Sequence, residues 1–227
     1  MPIDASNPVL EFQSVNKRYA HRTVLNSIEL TLAHGERLAL MGPSGSGKST
    51  LLNCASAIDL PDTGSVLIDG VCLNEAAPDE QTRFRREHIG TVFQFFNLLP
   101  HLTAYENIEL PLQLTGVKQM ERHLRVQTLL EETQIQHRAD AYPEAMSGGE
   151  MQRVAIARAI AHRPKLILAD EPVGNLDSHT GNTILGLLEN LSEQHSIALL
   201  MATHSETSTR ICHRVLHLLD GALTDRN

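Results

Sequence analysis

The sequence is poor in the residues that disulfide-stabilised folds and metal sites require. Its 227 residues include no tryptophan and only three cysteines, Cys54, Cys72 and Cys212, which are widely spaced and form no C-x-x-C pair. Because disulfide frameworks and structural zinc sites use paired cysteines, neither is expected, and a reduced cytoplasmic environment is favoured. The twelve histidines are scattered along the chain, so we expect no dedicated transition-metal site.

Long hydrophobic runs are also absent. Hydrophobic residues make up 41% of the sequence, yet no uninterrupted apolar stretch approaches the ~18 residues that a membrane-spanning helix needs. The N-terminal segment MPIDASNPVL has neither the basic region nor the apolar core of a signal peptide. We therefore expect a soluble chain that is not exported.

Positive charge is in deficit. The chain has 19 lysines and arginines against 27 aspartates and glutamates, which gives a formal net charge of −8. A nucleic-acid-binding domain needs a basic face, so we expect no nucleic-acid partner. The length suits one domain, or one domain with a subdomain, that buries a sizeable core.

A phosphate-binding motif stands out in this composition, GPSGSGKST at residues 42–50. The pattern G-x-x-x-x-G-K-[ST] is matched at Gly42, Gly47, Lys48 and Ser49. The apolar stretch 38–41 before the motif predicts a buried strand, and the chain from Lys48 onward predicts a helix with Leu51 and Leu52 on its inner side. A flexible Gly/Ser loop is the alternative, which the strand-to-helix context disfavours.

The chemistry of such a motif follows from its backbone. N–H groups of the turn and of the helix N-terminus point at phosphate oxygens, where the helix dipole adds partial positive charge. Lys48 would hold the β- and γ-phosphates, and the Ser49 hydroxyl would bind Mg²⁺. The motif therefore predicts binding of a nucleoside triphosphate.

Hydrophobic periodicity predicts two kinds of strand. Apolar and polar residues alternate in segments 10–13 and 28–32, which is typical of strands with one solvated face and predicts an antiparallel β region. The nearly continuous apolar runs 166–169 and 197–201 indicate strands buried on both faces of a parallel sheet. Two helical stripes are also predicted. They consist of Ile184, Leu187, Leu188 and Leu191, and of Val126, Leu129, Leu130 and Thr133 in a mostly helical segment 91–153.

Polar residues follow these buried strands. Asp170 and Glu171 end one strand and His204 ends another, and ligands of open α/β sheets bind beyond the carboxyl ends of the strands. Asp170 suits the Mg²⁺ shell, and Glu171 can polarise the water that attacks the γ-phosphate. An acidic pair that only caps the turn before Pro172 is the alternative, and a histidine there, taken alone, would be structural.

A second motif, MSGGEMQRV at residues 146–154, precedes the apolar run LILADE. Together with the phosphate-binding motif it resembles ATP-binding-cassette ATPases, and the resemblance covers nearly the whole chain. The resemblance implies an α/β fold of the P-loop NTPase type, with a mixed central sheet, a flanking antiparallel β region and a helical signature subdomain. We expect a single domain, 1–227, with approximately 95–160 as its helical subdomain.

The resemblance implies roles for further residues. Gln94 would sense Mg²⁺ and the attacking water, and His204 would contact the γ-phosphate. Asp177 would belong to a loop that crosses a dimer interface. Tyr19 would stack on adenine, although a packing residue at a strand end is the alternative. The phosphate-loop residues implied to hold ATP are Gly42, Ser44, Gly45, Ser46, Gly47, Lys48, Ser49 and Thr50.

In the family, one subunit's signature segment closes over the ATP held by another subunit. Ser147, Gly148 and Gly149 lie at the start of a predicted helix and would meet the ATP of the opposite subunit. Two cassettes are therefore expected to pair head to tail. Three positions depart from near relatives, Met146, Val173 and Ser205. Met146 conserves the volume of the usual leucine and should matter little, whereas Val173 and Ser205 bear on the rate and the subfamily rather than on ATP hydrolysis.

Segments 93–112 and 169–178 resemble the lipoprotein-releasing and macrolide-exporter ATPases. The implied partner is an integral-membrane permease, with the chain on the cytoplasmic face of the inner membrane. Two alternatives are the importer ATPases, which share much of this sequence, and the soluble cassette proteins of DNA repair or translation. Nucleotide kinases lack the signature motif. The apolar cluster Phe95, Phe96, Leu98, Leu99 and Pro100 would form the permease-docking loop, or else pack in the core.

Overall fold

The computed structural model describes residues 8–224, in which ten strands and six helices form two sheets with flanking helices. Residues 1–7, part of the segment in which we expect no signal peptide, lie outside the described residues, as do 225–227. The strands are β1 (Pro8–Tyr19), β2 (Arg22–Ala33), β3 (Arg37–Met41), β4 (Thr63–Ile68), β5 (Val71–Cys72), β6 (Ile89–Phe93), β7 (Leu166–Asp170), β8 (Ala198–Thr203), β9 (Arg214–Leu219) and β10 (Ala222–Thr224). The helices are α1 (Lys48–Ala55), α2 (Pro78–His88), α3 (Ala104–Leu114), α4 (Gln119–Glu132), α5 (Gly148–Ile160) and α6 (Ser178–Gln194).

The central sheet has six strands in the order β10-β9-β3-β8-β7-β6. All neighbours in it are parallel except β10, which pairs antiparallel with β9. The register places Met41 opposite Thr203 and Phe93 opposite Asp170, so four strands end at one edge of the sheet. The second sheet is antiparallel, in the order β2-β1-β4-β5. These two sheets confirm the predicted mixed sheet and antiparallel β region.

Two hydrophobic cores lie on opposite faces of the central sheet. On β3, Leu38 and Leu40 belong to the core shared with the antiparallel sheet, whereas Ala39 between them belongs to the core beneath the helices. β8 alternates in the same way, with Leu200 in the first core and Leu199 in the second. This burial on both faces explains the nearly continuous apolar runs of these strands.

The helical region follows the prediction with one shift. Val126, Leu129, Leu130 and Thr133 are buried along α4 as expected. In α6 the buried arc includes Leu185, whereas Leu187 is only half-buried, so the helix is rotated by part of a turn from the predicted stripe. Segment 91–153 begins as strand β6 and a loop before α3 starts.

Helices α3, α4 and α5 pack over one face of the central sheet rather than around a core of their own. Their buried residues, such as Ile108 and Val154, belong to the same core as Val92 and Ile167 of the sheet. The subdomain boundary at approximately 95–160 stays a prediction. Within residues 8–224, no helix has both the length and the apolar character that crossing a bilayer requires.

Candidate active site

A cavity of about 770 Å³ opens where β3, β6, β7 and β8 end. Sequence reasoning identified most of its lining. The predicted residues that line it are Tyr19, Ser44, Gly45, Gly47, Lys48, Ser49, Thr50, Gln94, Asp170, Glu171 and His204. Arg22 and Val24, at the start of β2, line the cavity and were not predicted. An exposed arginine three residues after Tyr19 across a hairpin turn was the available signal.

The phosphate loop connects β3 to α1 in the predicted way. Gly47 precedes α1 with φ of 108°, and a Cβ there would lie 2.9 Å from the carbonyl oxygen of Val24, so only glycine fits. The buried Lys48 donates hydrogen bonds from Nζ to the carbonyl oxygens of Gly42 and Pro43, at 2.8 and 3.0 Å. The ammonium group is thus held inside the loop.

The loop has the features of an anion site. Gly45 has φ of 76° and open space where a Cβ would point. The buried hydroxyl of Ser46 has no hydrogen-bond partner among residues 8–224. Buried polar groups are normally paired, so this hydroxyl and the N-terminus of α1 fit a phosphate ligand.

Oxygen ligands for a hard cation lie next to the loop. The Ser49 hydroxyl donates a hydrogen bond to Oδ2 of Asp170 at 2.8 Å, which joins the start of α1 to the end of β7. Burial raises the pKa of Asp170, the Ser49 hydrogen bond partly opposes this shift, and the neighbouring charge of Glu171 adds to it. A hydroxyl and a carboxylate are the ligand types that Mg²⁺ prefers, so the donor set fits this cation.

Glu171 is oriented by two groups from the end of β8. Its Oε1 lies 2.8 Å from Nδ1 of His204, and its Oε2 accepts a hydrogen bond from the Thr203 hydroxyl at 3.3 Å. The backbone of Glu171 has φ of 48°, which is uncommon for a residue other than glycine and is frequent at functional sites. A carboxylate held in this way can accept a proton or a hydrogen bond from a water molecule in the cavity.

Gln94 follows β6 and is tied to the segment after β7. Its Nε2 donates to Oδ1 of Asn175 at 3.2 Å, and Nδ2 of Asn175 donates back to the Gln94 carbonyl oxygen at 3.1 Å. Asp177 caps α6 and accepts hydrogen bonds from the backbone of His179 and Thr180, each at 3.0 Å. Asp177 does not line the phosphate-loop cavity but a neighbouring one, which it shares with Glu171 and His204.

Tyr19 ends β1 and lines the same cavity. Its side chain is exposed enough, at 45%, to offer a ring face to a ligand. Its hydroxyl donates a hydrogen bond to the carboxylate of Asp59, which sequence reasoning did not identify.

The signature residues lie outside this cavity. Ser147 caps α5, and its side chain and that of Glu150 form a reciprocal capping box. A Cβ at Gly149 would come within 2.7 Å of the Thr180 side chain, and one at Gly148 within 3.1 Å of Leu176. The glycines therefore let the start of α5 pack against the first turn of α6 and the segment before it, and these residues do not line the phosphate-loop cavity of their own chain.

Known proteins share both the sequence and the fold. A family model described as ABC transporter matches residues 25–174. An uncharacterized ABC transporter ATP-binding protein of Mycobacterium tuberculosis is 50% identical over 89% of this chain and 82% of the relative. The lipoprotein-releasing system ATP-binding protein LolD of Hyphomonas neptunium is 42% identical over 96% of this chain and 97% of its own.

The structural comparison agrees. A dimeric ATP-binding cassette in a post-hydrolysis state, bound to ADP and phosphate, matches with a TM-score of 0.86 and 40% identity, over 96% of this chain and 99% of that one. The chain therefore belongs to the ABC transporter family, as an ATP-binding ATPase subunit.

Proposed function

We propose that this chain binds MgATP in the cavity at the sheet edge and hydrolyses it there as one half of a head-to-tail pair. The observation that supports this most directly is the convergence of Lys48, the Ser49–Asp170 pair and the Glu171–His204 pair at the ends of adjacent strands. The groups that would bind phosphate, the cation ligands and a candidate base thus lie in one cavity, as phosphoryl transfer to water requires.

Each residue has a distinct part in hydrolysis. Lys48 and the N–H groups of the phosphate loop bind the β- and γ-phosphates. Glu171 orients the attacking water or accepts its proton, and His204 contacts the γ-phosphate while its hydrogen bond keeps Glu171 in place. Ser49, Asp170 and Gln94 would hold Mg²⁺, which neutralises charge on the phosphate oxygens when bound.

The second half of the site comes from another copy of the chain. Ser147, Gly148 and Gly149 form a helix N-terminus suited to an anion, yet they lie away from the cavity of their own chain. In a head-to-tail pair they would meet the γ-phosphate of the partner's ATP, and Asp177 would lie at the interface. A solved cassette of 40% identity is dimeric, which supports this arrangement.

The ATPase subunit acts on a membrane permease, and the chain lies on the cytoplasmic face of the inner membrane. Relatives named for lipoprotein release, at 39 to 42% identity over most of the chain, favour the lipoprotein-release and macrolide-export type over import. The exposed loop after Gln94 is the proposed docking surface, because Phe95 and Leu99 remain solvent-exposed at 71% and 43%.

Substituting Glu171 with Gln tests the chemistry. The variant keeps the phosphate loop and should bind ATP with unchanged affinity, while steady-state hydrolysis falls by about 10²- to 10⁴-fold. Lys48→Ala is the matched control, since it should weaken binding of a fluorescent ATP analogue. Near-normal turnover by Glu171→Gln would remove Glu171 from the mechanism.

Assembly is tested in the same background. With ATP and Mg²⁺, the Glu171→Gln protein should sediment as a dimer, and with ADP as a monomer, because only ATP offers a γ-phosphate to the partner's signature. Adding Ser147→Arg should abolish the dimer by placing bulk and charge at that contact. A monomer at all concentrations with ATP, both alone and with permease-containing membranes, would contradict the head-to-tail pair.

A further inference from the structure

A hydrogen-bonded group whose members come from separate elements lies next to the cavity, which it reaches through Tyr19. Tyr19 ends β1, and Asp59 lies in the loop after α1. The Tyr19 hydroxyl donates to the Asp59 carboxylate, and Lys17 donates from Nζ to Oδ1 of Asp59 at 2.5 Å. Asp59 therefore accepts from two side chains of the same strand.

Lys17 fixes the position of this carboxylate. The lysine is 8% exposed, and its Nζ also donates to the carbonyl oxygen of Leu60 at 2.6 Å. The same Nζ lies 5.3 Å from the centre of the Tyr19 ring, within the range of a cation–π contact. Burial alone would raise the pKa of Asp59, but the hydrogen bonds from Lys17 and Tyr19 outweigh it, so the pKa of Asp59 is lowered and the group stays ionised.

Such support matters for the Tyr19 ring because the ring is exposed. It lies at a strand end, is nearly half exposed, and lines the cavity on the side of Thr50. An exposed aromatic side chain samples several rotamers, and ordering it on binding weakens affinity. A hydroxyl held by a fixed carboxylate removes that cost.

We propose that Asp59 is a positioning residue which, through the hydroxyl of Tyr19, presents the ring to the base of a bound nucleotide and raises affinity for the nucleoside end only. Among residues 8–224, the Asp59 side chain is hydrogen-bonded to Lys17 and Tyr19 and to no residue of the phosphate loop or candidate metal site, so we expect its effect to be confined to ligands that contain a base. This inference rests on the proposed nucleotide site.

A comparison of two ligands tests it. Asp59→Asn and Tyr19→Phe should each weaken ATP binding by about three- to tenfold, the range expected when one side chain must be ordered on binding. Neither should change the affinity for inorganic tripolyphosphate. The double variant should lose no more ATP affinity than the single variant with the larger loss, because both changes break the same contact. Asp62→Asn is the matched control, since it removes the same charge from the same cluster without touching Tyr19. Asp62 accepts from the Arg18 backbone and lies 3.9 Å from Nζ of Lys17, but it does not bond the Tyr19 hydroxyl.

The outcomes separate this inference from the proposed function. Equal losses for ATP and tripolyphosphate would mean that Asp59 acts through the fold, and unchanged ATP affinity in Tyr19→Phe would mean that the hydroxyl positions nothing; either result overturns the inference. If the unaltered chain bound neither ligand, the nucleotide site itself would be wrong. Tyr19→Phe removes a single oxygen atom from a residue at a strand end, so it keeps the test valid even if Asp59→Asn fails to fold.

Discussion

Glu150 is the residue whose ionisation the fold depends on most clearly. Its Oε2 accepts hydrogen bonds from the backbone N–H and the hydroxyl of Ser147, at 2.7 and 2.9 Å, and its Oε1 accepts from Nε of Arg138 at 2.8 Å. The hydrogen bond from the Ser147 backbone, followed by that from Arg138, lowers the pKa of Glu150 from its ordinary value of 4.5 to about 2. The start of α5 is thus fixed by a carboxylate that must be charged.

Acid should loosen this end of α5. Because the folded-state pKa is depressed, the stability contributed by Glu150 is fully present above pH 4.5 and is lost as the pH falls toward 2. Glu150→Gln should therefore be less stable than the unaltered chain at pH 7, while the difference shrinks as the pH is lowered through this range. Urea unfolding between pH 7 and 3 measures it, and a constant difference across that range would contradict the assignment.

Residues within contiguous motifs were accessible from the sequence, and residues that act across the fold were not. The phosphate loop, Asp170 and Glu171 belong to short patterns that follow a recognisable strand. Asp59 and Tyr19 are separated along the chain, and their contact exists only because the fold brings the end of β1 next to the loop that follows α1. The Ser-x-x-Glu spacing of Ser147 and Glu150 is typical of a capping box, so this role of Glu150 could have been predicted from the sequence.

At the scale of elements, β6 and α5 approach each other unusually closely. A Cβ at Gly90 would lie 2.2 Å from the carbonyl oxygen of Ala159, so the strand needs a glycine although its φ is ordinary. The side chains of the same helix also bond the loops that follow β6 and β7 at the candidate active site. Gln152 donates to the Pro172 carbonyl oxygen at 2.6 Å, and Arg158 donates to those of Phe96 and Asn97 at 2.9 and 2.7 Å.

Gly90→Ala should therefore destabilise the protein by about 2 kcal/mol or more, because backbone must move to admit the methyl group. Gly186→Ala is the matched control. Gly186 lies inside α6 with open space where a Cβ would point, so the same change should stabilise by about 0.5–1 kcal/mol. Chemical denaturation of the two variants measures both, and a neutral Gly90→Ala would show that β6 and α5 can separate at no cost.

Element type was predictable wherever hydrophobic periodicity was strong, but packing distances were not. The runs at β7 and β8 identified buried parallel strands, and the stripe on α4 identified its inner face. The order of strands in the central sheet and the approach of Ala159 to Gly90 depend on the whole topology. The rotation of α6 toward Leu185 also follows from its neighbours, since periodicity alone allows either leucine.

At the scale of the whole molecule, the loop after β6 forms a surface that is anchored by hydrogen bonds. The fully buried Asn107 donates from Nδ2 to the carbonyl oxygens of Leu99, Leu102 and Thr103, at 3.2, 3.0 and 2.9 Å, and accepts from the Leu99 backbone at 2.8 Å. Leu98 is packed against the core, whereas Phe95 and Leu99 project toward solvent. The apolar cluster is therefore part core and part exposed surface.

Leu99→Glu and Phe95→Glu should leave a folded protein that still dimerises with ATP but no longer co-purifies with the proposed permease partner. A charge on either exposed side chain opposes burial in an apolar contact, whereas the backbone bonds of Asn107 remain. Met120→Glu, on the exposed face of α4, is the matched control and should co-purify normally. Normal co-purification of both loop variants would place the docking site elsewhere.

The central sheet contributes one face to each of the two cores, and this arrangement determines how the chain unfolds on heating. Neighbouring residues of β3 and β8 belong to opposite cores. If one core became disordered, these strands would lose the packing on one face, and the other core, which uses the same strands, would lose its support. The helical part and the antiparallel part are thus cooperatively linked, without a boundary at which partial unfolding is stable. Heating should give one calorimetric transition, and ATP bound at the sheet edge should shift that single transition upward as a unit.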